Sequence, residues 1–162
     1  MRWDEFCAAT PQLAAMVRTR IVEQHVLLLG TLRADGWPRI SAVECDVVDG
    51  DLCVGMVWQS TKALDLLRDP RLTAHSLPPA RENPDGDLKL YGRAVTVEGA
   101  RKRAYEQVLF DRLRWRPPEP YHCFALDVDS AALVVFRDNG RAVTQWRAGG
   151  PTRDRFLPDA TA

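Results

Sequence analysis

Ser60, Thr61 and Lys62 stand consecutively after an apolar run that ends at Trp58 and before a short amphipathic stretch over residues 61–68. With a strand before it and a helix after it, Ser60 takes the N-cap position. The free amides of the first helical turn, the two hydroxyls and the Lys62 ammonium can then converge on one anion, which is phosphate-binding chemistry. The same residues also suit an ordinary helix start, with Ser60 capping and Lys62 solvated. No glycine-rich stretch precedes the lysine, so the segment is not a Walker loop. Arg39, in Pro38-Arg39-Ile40-Ser41-Ala42-Val43-Glu44, offers either a second fixed cation for that anion or an exposed arginine beside a turn. Glu44 and Asp46 share a face with Ile40, Ala42 and Val48, so that face opens on a polar cavity or the strand end is wet.

Other catalytic templates are missing. The sequence holds no Gly-x-Ser-x-Gly elbow, no His-Glu-x-x-His and no Gly-x-Gly-x-x-Gly, and His25, His75 and His122 stand far apart. The four cysteines, Cys7, Cys45, Cys53 and Cys123, include no Cys-x-x-Cys pair, so metal-ligand spacing is absent and they read as reduced, buried thiols. Nothing favours a Cys53 and His75 nucleophile pair. Trp115 and Trp146 suit stacking on a planar ligand or packing in a core. Residues 101–116 carry six basic and two acidic side chains on a helical pattern, which most simply makes a solvated outer face.

The elements that must position these residues follow from periodicity. Leu13, Met16, Val17 and Ile21 recur at helical spacing after Thr10-Pro11, which predicts a helix over residues 11–24, with a shorter helical turn over 3–9. Apolar runs over 26–32, 40–48, 52–58, 71–77, 88–97, 121–128, 131–136 and 142–146 read as strands. Asp35-Gly36, Asp49-Gly50 and Asn139-Gly140 mark hairpin turns between such runs. Helices are expected at 61–68 and 101–115, a surface loop at 78–86, and an irregular tail over 149–162. Too few helices lie between strands for parallel crossovers, so the order predicts a closed antiparallel barrel with helices outside it.

The whole chain of 162 residues reads as one domain, helical over 1–24 and barrel thereafter. The 22 basic and 22 acidic side chains cancel, which speaks against a polyanionic partner. The longest apolar run, 131–136, is far short of a membrane helix. Met1-Arg2-Trp3-Asp4-Glu5 does not open a signal peptide, so a cytoplasmic location is expected, with neither membrane nor nucleic acid as partner.

Three short pieces then acquire a joint meaning. Gly30-Thr31-Leu32 with Asp35-Gly36-Trp37-Pro38-Arg39, Ser60-x-Lys62 with Asp69-Pro70-Arg71, and Leu88-x-Leu90-x-Gly92-Arg93-Ala94 occur in an order and spacing that resembles the pyridoxamine 5'-phosphate oxidase-like, flavin-binding split-barrel family. The resemblance runs over residues 11–147. It implies a mainly β fold with flanking helices, an antiparallel six-stranded split β-barrel, and a homodimer holding FMN or the deazaflavin coenzyme F-420 in clefts at the subunit interface. Carried over by position, Arg39, Ser41, Ala42 and Val43 lie along the cofactor and Met56 and Val57 supply strand contacts. Ser60, Thr61 and Lys62 grip the phosphate, and Lys89 and Trp146 approach the ring from the other subunit. The resemblance assigns no catalytic residue. Glu44 replaces a lysine of the oxidase itself and Asp87 a glutamine, which argues against pyridoxamine phosphate oxidation as the reaction.

The implied activity is an FMN- or F-420-dependent oxidoreductase or reductase that transfers hydride to or from a small conjugated substrate, the cofactor supplying the chemistry. The alternative on the same barrel is a carrier or sensor that binds flavin or haem and turns nothing over.

Overall fold

The computed structural model describes residues 1–77 and 86–160. In chain order they form α1 (Trp3–Ala9), α2 (Pro11–Val17) continued by a π-helical turn (Arg18–Val22), β1 (Val26–Leu32), β2 (Pro38–Val48), β3 (Asp51–Val57), α3 (Thr61–Arg68), β4 (Arg71–His75), β5 (Asp87–Thr96), α4 (Gly99–Leu113), β6 (Tyr121–Arg137), β7 (Gly140–Arg147) and β8 (Arg153–Pro158). All pairings are antiparallel, in the order β3-β2-β1-β4-β5-β6, and a further pairing of β3 with β6 closes the ring. Six strands make the barrel, and β7 and β8 extend the sheet from β6. No described helix is long and apolar enough to cross a membrane.

The expected hairpins form where their turn residues stand. Asp49 and Gly50 both take positive φ, 50° and 79°, the paired left-handed conformation that a tight hairpin needs. The expected helix over 11–24 is shorter than its periodicity: the α-helix ends at Val17 and the chain continues as a wider π turn. Thr10 does not cap it, because its hydroxyl lies 3.2 Å from that of Thr152.

Two further expectations need correction. The runs 121–128 and 131–136 are one 17-residue strand, β6, because the polar residues between them form a bulge and not a turn: Tyr91 pairs with Ser130 and Gly92 with Val128, leaving Asp129 as the extra residue. A Cβ at Gly92 would overlap the Asp127 carbonyl, so glycine is required at that crossing. The tail read as irregular contains β8, an edge strand paired with β7 and almost wholly exposed, which is why it shows no apolar alternation. The loop read at 78–86 lies outside the described residues except for Gly86.

Alternating residues fill the barrel: Leu27, Leu29, Val54, Leu88, Leu90, Phe124 and Leu126 are buried in one cluster, which Trp3, Phe6, Leu13, Val17 and Ile21 of the N-terminal helices continue. A second, smaller cluster lies between α4 and the opposite face of β3 and β6, with Tyr105 and Leu109 against Cys53, Tyr121, Cys123 and Ala125. That outer packing places α4 beside the strands that carry the candidate residues.

Candidate functional site

Strand alternation sends Ile40, Ala42 and Glu44 outward from β2, and all three are exposed. Further along the same strand Asp46 is buried, because Arg112 on α4 reaches its Oδ2 at 2.9 Å and His25 Nδ1 its Oδ1 at 2.8 Å. The polar face therefore opens on a cleft at Ala42 and Glu44 and is roofed by α4 at Asp46. Arg112 also lies 3.6 Å from Glu44, so this carboxylate is held by the helix.

The cleft has a volume of about 530 Å³, within the range of small-molecule sites. Its floor is Ala42, Val43, Gly55, Met56 and Val57 of β2 and β3, one wall is Tyr105 and Leu109 of α4, and Lys62 stands at the start of α3. Trp58, Trp115, Tyr121, prolines 117, 118 and 120, and the carboxylates Glu44 and Glu119 complete the lining. The connection from α4 to β6 is pinned. Arg116 spans Glu106 and Gln107, both at 2.9 Å, and Lys102 Nζ reaches Glu119 at 3.0 Å while lying 3.8 Å from the Tyr121 ring centroid. This wall is set before any ligand arrives.

Gly55 is where two backbones and a ring meet. A Cβ there would lie 2.8 Å from the Tyr105 hydroxyl, so only glycine lets α4 seat this closely on β3. Burial drives the Tyr105 phenol well above its ordinary pKa, with the charge of nearby acids adding to it, so it serves as a neutral wall. Burial raises Tyr121 in the same way.

Ser60 occupies the N-cap position of α3 but makes no capping hydrogen bond, and its Oγ is buried without a partner. An unpaired buried hydroxyl is costly and therefore uncommon. Among the described residues Lys62 makes no hydrogen bond or ion pair. A polar atom without a partner, an unpaired ammonium and the first-turn amides of α3 suit the anionic tail of a ligand whose flat, apolar part lies on the strands.

Neither a protein-family model nor the sequence of a curated protein matches this chain. Solved structures do. PhzG from Burkholderia lata 383, in complex with tetrahydrophenazine-1-carboxylic acid, superposes with a TM-score of 0.66 over 97% of this chain and 93% of its own at 14% identity. A pyridoxamine 5'-phosphate oxidase-related, FMN-binding protein from Nostoc punctiforme PCC 73102 gives 0.62 over 98% and 100% at 12% identity. An F-420 reductase gives 0.57 over 70% and 94% at 19% identity. The fold is the pyridoxamine 5'-phosphate oxidase-like split barrel.

On this split barrel the expected site residues separate into groups. Ala42, Val43, Met56, Val57 and Lys62 meet in the cleft, with Ser60 two residues before Lys62. Arg39 and Thr61 line a neighbouring groove on the flank of α3 together with Asp65 and Arg68. Arg39 is an internal tie of the barrel end: its Nε donates to Asp65 at 2.7 Å. Arg39 and Lys62 thus line adjacent but separate pockets. Ser41 is half-buried on β2 opposite Leu29. Lys89 points out from β5, 3.9 Å from Asp87. Trp146 is buried in the main cluster, edge-on to Phe6 with centroids 5.1 Å apart, so its ring is packed in the core.

The cleft also contains residues that the sequence does not single out, chiefly Trp58, Tyr105, Tyr121 and the prolines 117, 118 and 120. Of the two tryptophans suited to ring stacking, Trp115 is the one that reaches the cleft, 51% exposed. The proline-rich run after it is the signal that a rigid wall follows. The thiols are free, with Cys45, Cys53 and Cys123 buried, and Cys53 faces Cys123 and not His75.

Proposed function

We propose that this split barrel is a flavin- or deazaflavin-dependent oxidoreductase that binds FMN or coenzyme F-420 in the cleft of β2, β3 and α4. The observation that carries this reading is the pairing of a partnerless buried Ser60 hydroxyl and an unpaired Lys62 with an apolar floor and aromatic walls. Ser60, Thr61 and Lys62 hold the phosphate, Ala42 and Val57 support the ring, and the wall from Trp115 to Tyr121 excludes water from one edge. The bound ring supplies hydride transfer to or from a small conjugated substrate.

The working unit is a homodimer. Ile40 and Val57 are 73% and 72% exposed beside the cleft, and exposed apolar groups of this size on adjoining strands suit coverage by a second copy. Such a copy closes the open side of the cleft, the place where Lys89 of a partner can contribute.

Titration of the purified protein with FMN, riboflavin and F-420, followed by reduction of the bound ring and a screen of conjugated acceptors, tests the proposal. Micromolar binding with FMN favoured over riboflavin, and reoxidation by at least one acceptor, are expected. Failure of all three to bind overturns it, and binding without turnover makes the chain a carrier.

A further inference from the structure

The turn that delivers Ser60 and Lys62 is held from outside its own element. His122 sits on β6 opposite Met56 of β3. Its imidazole stacks on Trp58, centroids 4.4 Å apart and planes 13° from parallel, with Phe124 next in line at 6.1 Å and 16°. Its Nε2 accepts the Gln59 N–H at 3.3 Å. Gln59 takes φ +59°, a left-handed conformation that side-chain-bearing residues resist. Ser60 N–H then closes the turn on the Val57 carbonyl at 3.1 Å. Residues 58–60 are the entire connection between β3 and α3, so one histidine fixes both the ring at its start and the unfavourable peptide at its centre.

Accepting at Nε2 requires the neutral ring with its proton on Nδ1. Burial lowers the His122 pKa below its ordinary value, and the Lys102 charge acts in the same direction, so the accepting form is the one favoured.

We infer that His122 is a positioning residue for the phosphate-binding turn, setting through the Gln59 amide where Ser60 and Lys62 meet a ligand phosphate. The inference rests on the phosphate site proposed above. It differs from a general packing role because it acts on the phosphate increment, the ratio of FMN to riboflavin affinity, and leaves the ring's own affinity alone.

The experiment compares wild type, His122→Phe and His122→Gln. Phenylalanine keeps a stacking ring and removes the acceptor; the glutamine Oε1 lies the same number of bonds from the backbone as Nε2 and restores it. The expected result is a fall of about three- to tenfold in the FMN to riboflavin ratio for His122→Phe, the scale of one hydrogen bond. Riboflavin affinity stays unchanged, and His122→Gln recovers the ratio. Hydrogen exchange at the Gln59 amide, measured without ligand, should quicken in His122→Phe and slow again in His122→Gln. Should the phenylalanine variant fold poorly, His122→Met, apolar and without the acceptor, takes its place in the same comparison. An unchanged ratio overturns the inference, as does an equal loss of FMN and riboflavin affinity. A wild-type protein that does not prefer FMN over riboflavin overturns the phosphate site itself and the inference with it, whereas a wild-type preference that His122→Phe leaves intact overturns the inference alone.

Discussion

Arg39 of β2 donates its Nε–H to Oδ2 of Asp65 on α3 at 2.7 Å, and Thr31 of β1 donates its hydroxyl to the same oxygen at 2.9 Å. One carboxylate thus ties two strands to the helix that follows them, and the Arg39 charge is answered within the fold. Burial by itself raises the Asp65 pKa, but the Arg39 and Thr31 hydrogen bonds and the charges of Arg39 and Arg68 outweigh it, so the net shift is downward.

Asp65→Asn should therefore destabilise the protein at neutral pH by about 3 kcal/mol, near the lower end for breaking a buried pair, because Arg39 remains partly solvated. A folded pKa below the unfolded value means that the contribution is complete above the ordinary aspartate pKa of about 3.9. It disappears as pH falls through the lowered folded value. Urea melts at neutral pH and near pH 3 check this: the gap between wild type and variant should be smaller in the second than in the first.

Lys62→Ala should weaken FMN binding by about 1.5–3 kcal/mol and leave riboflavin unaffected, the signature of a charged contact to phosphate. Ser60→Ala has effects of opposite sign on the two states. Removing a buried hydroxyl that has no partner should leave the ligand-free melting temperature equal or slightly higher, while FMN affinity falls by about 0.5–1.5 kcal/mol. Calorimetric titration and thermal melts of the two variants separate these effects.

Gly55→Ala should cost about 1–3 kcal/mol, since the new methyl group meets the Tyr105 ring and hydroxyl. Adding Tyr105→Phe removes the nearest obstacle, at 2.8 Å, and should recover part of the loss. Urea titration of the single and double variants measures the coupling.

Ile40→Glu combined with Val57→Glu should yield a monomer in sedimentation velocity, and Ile40→Glu alone, outside the cleft lining, should lower cofactor affinity to the extent that it weakens the dimer. Both side chains are already exposed, so the thermal stability of the isolated fold should change little. A wild-type protein that sediments as a monomer excludes the shared cleft.

Burial, reinforced by the neighbouring Asp46 charge, pushes the Cys45 thiol up to about 12, and a hydrogen bond with Cys123 together with burial raises Cys53. These thiols should stay silent toward a disulfide reagent at pH 8 and react once the chain is unfolded in urea. Absorbance from released thiolate, with and without urea, provides the count.

Turn chemistry and alternation made the barrel legible from the sequence, because Asp49-Gly50 and the alternating runs state local preferences that the fold also obeys. Where local composition and tertiary role part, sequence reasoning erred. Asp127-Val128-Asp129-Ser130 has a turn's composition, yet pairing with β5 absorbs it as a bulge. That Arg39 is tied to Asp65 was not legible either, because the carboxylate lies 26 residues away on a helix face. Trp146 was equally suited to ring or core, and only the packing of Phe6 against it decides between them. The aromatic wall of the cleft depends on α4 lying against Gly55, a contact that no spacing announces.

The ring closes through β3 and β6, where Cys53 meets Ala125 and Val57 meets Tyr121. During synthesis the first three strands leave the ribosome with both edges unpaired, and after β4 has covered β1 the β3 edge still waits until β6 has been made. That exposed edge is the same β3 that later floors the cleft. Within the barrel, the strand that floors the cleft is therefore also the one whose edge waits longest for its partner, open until then to pairing with another nascent copy.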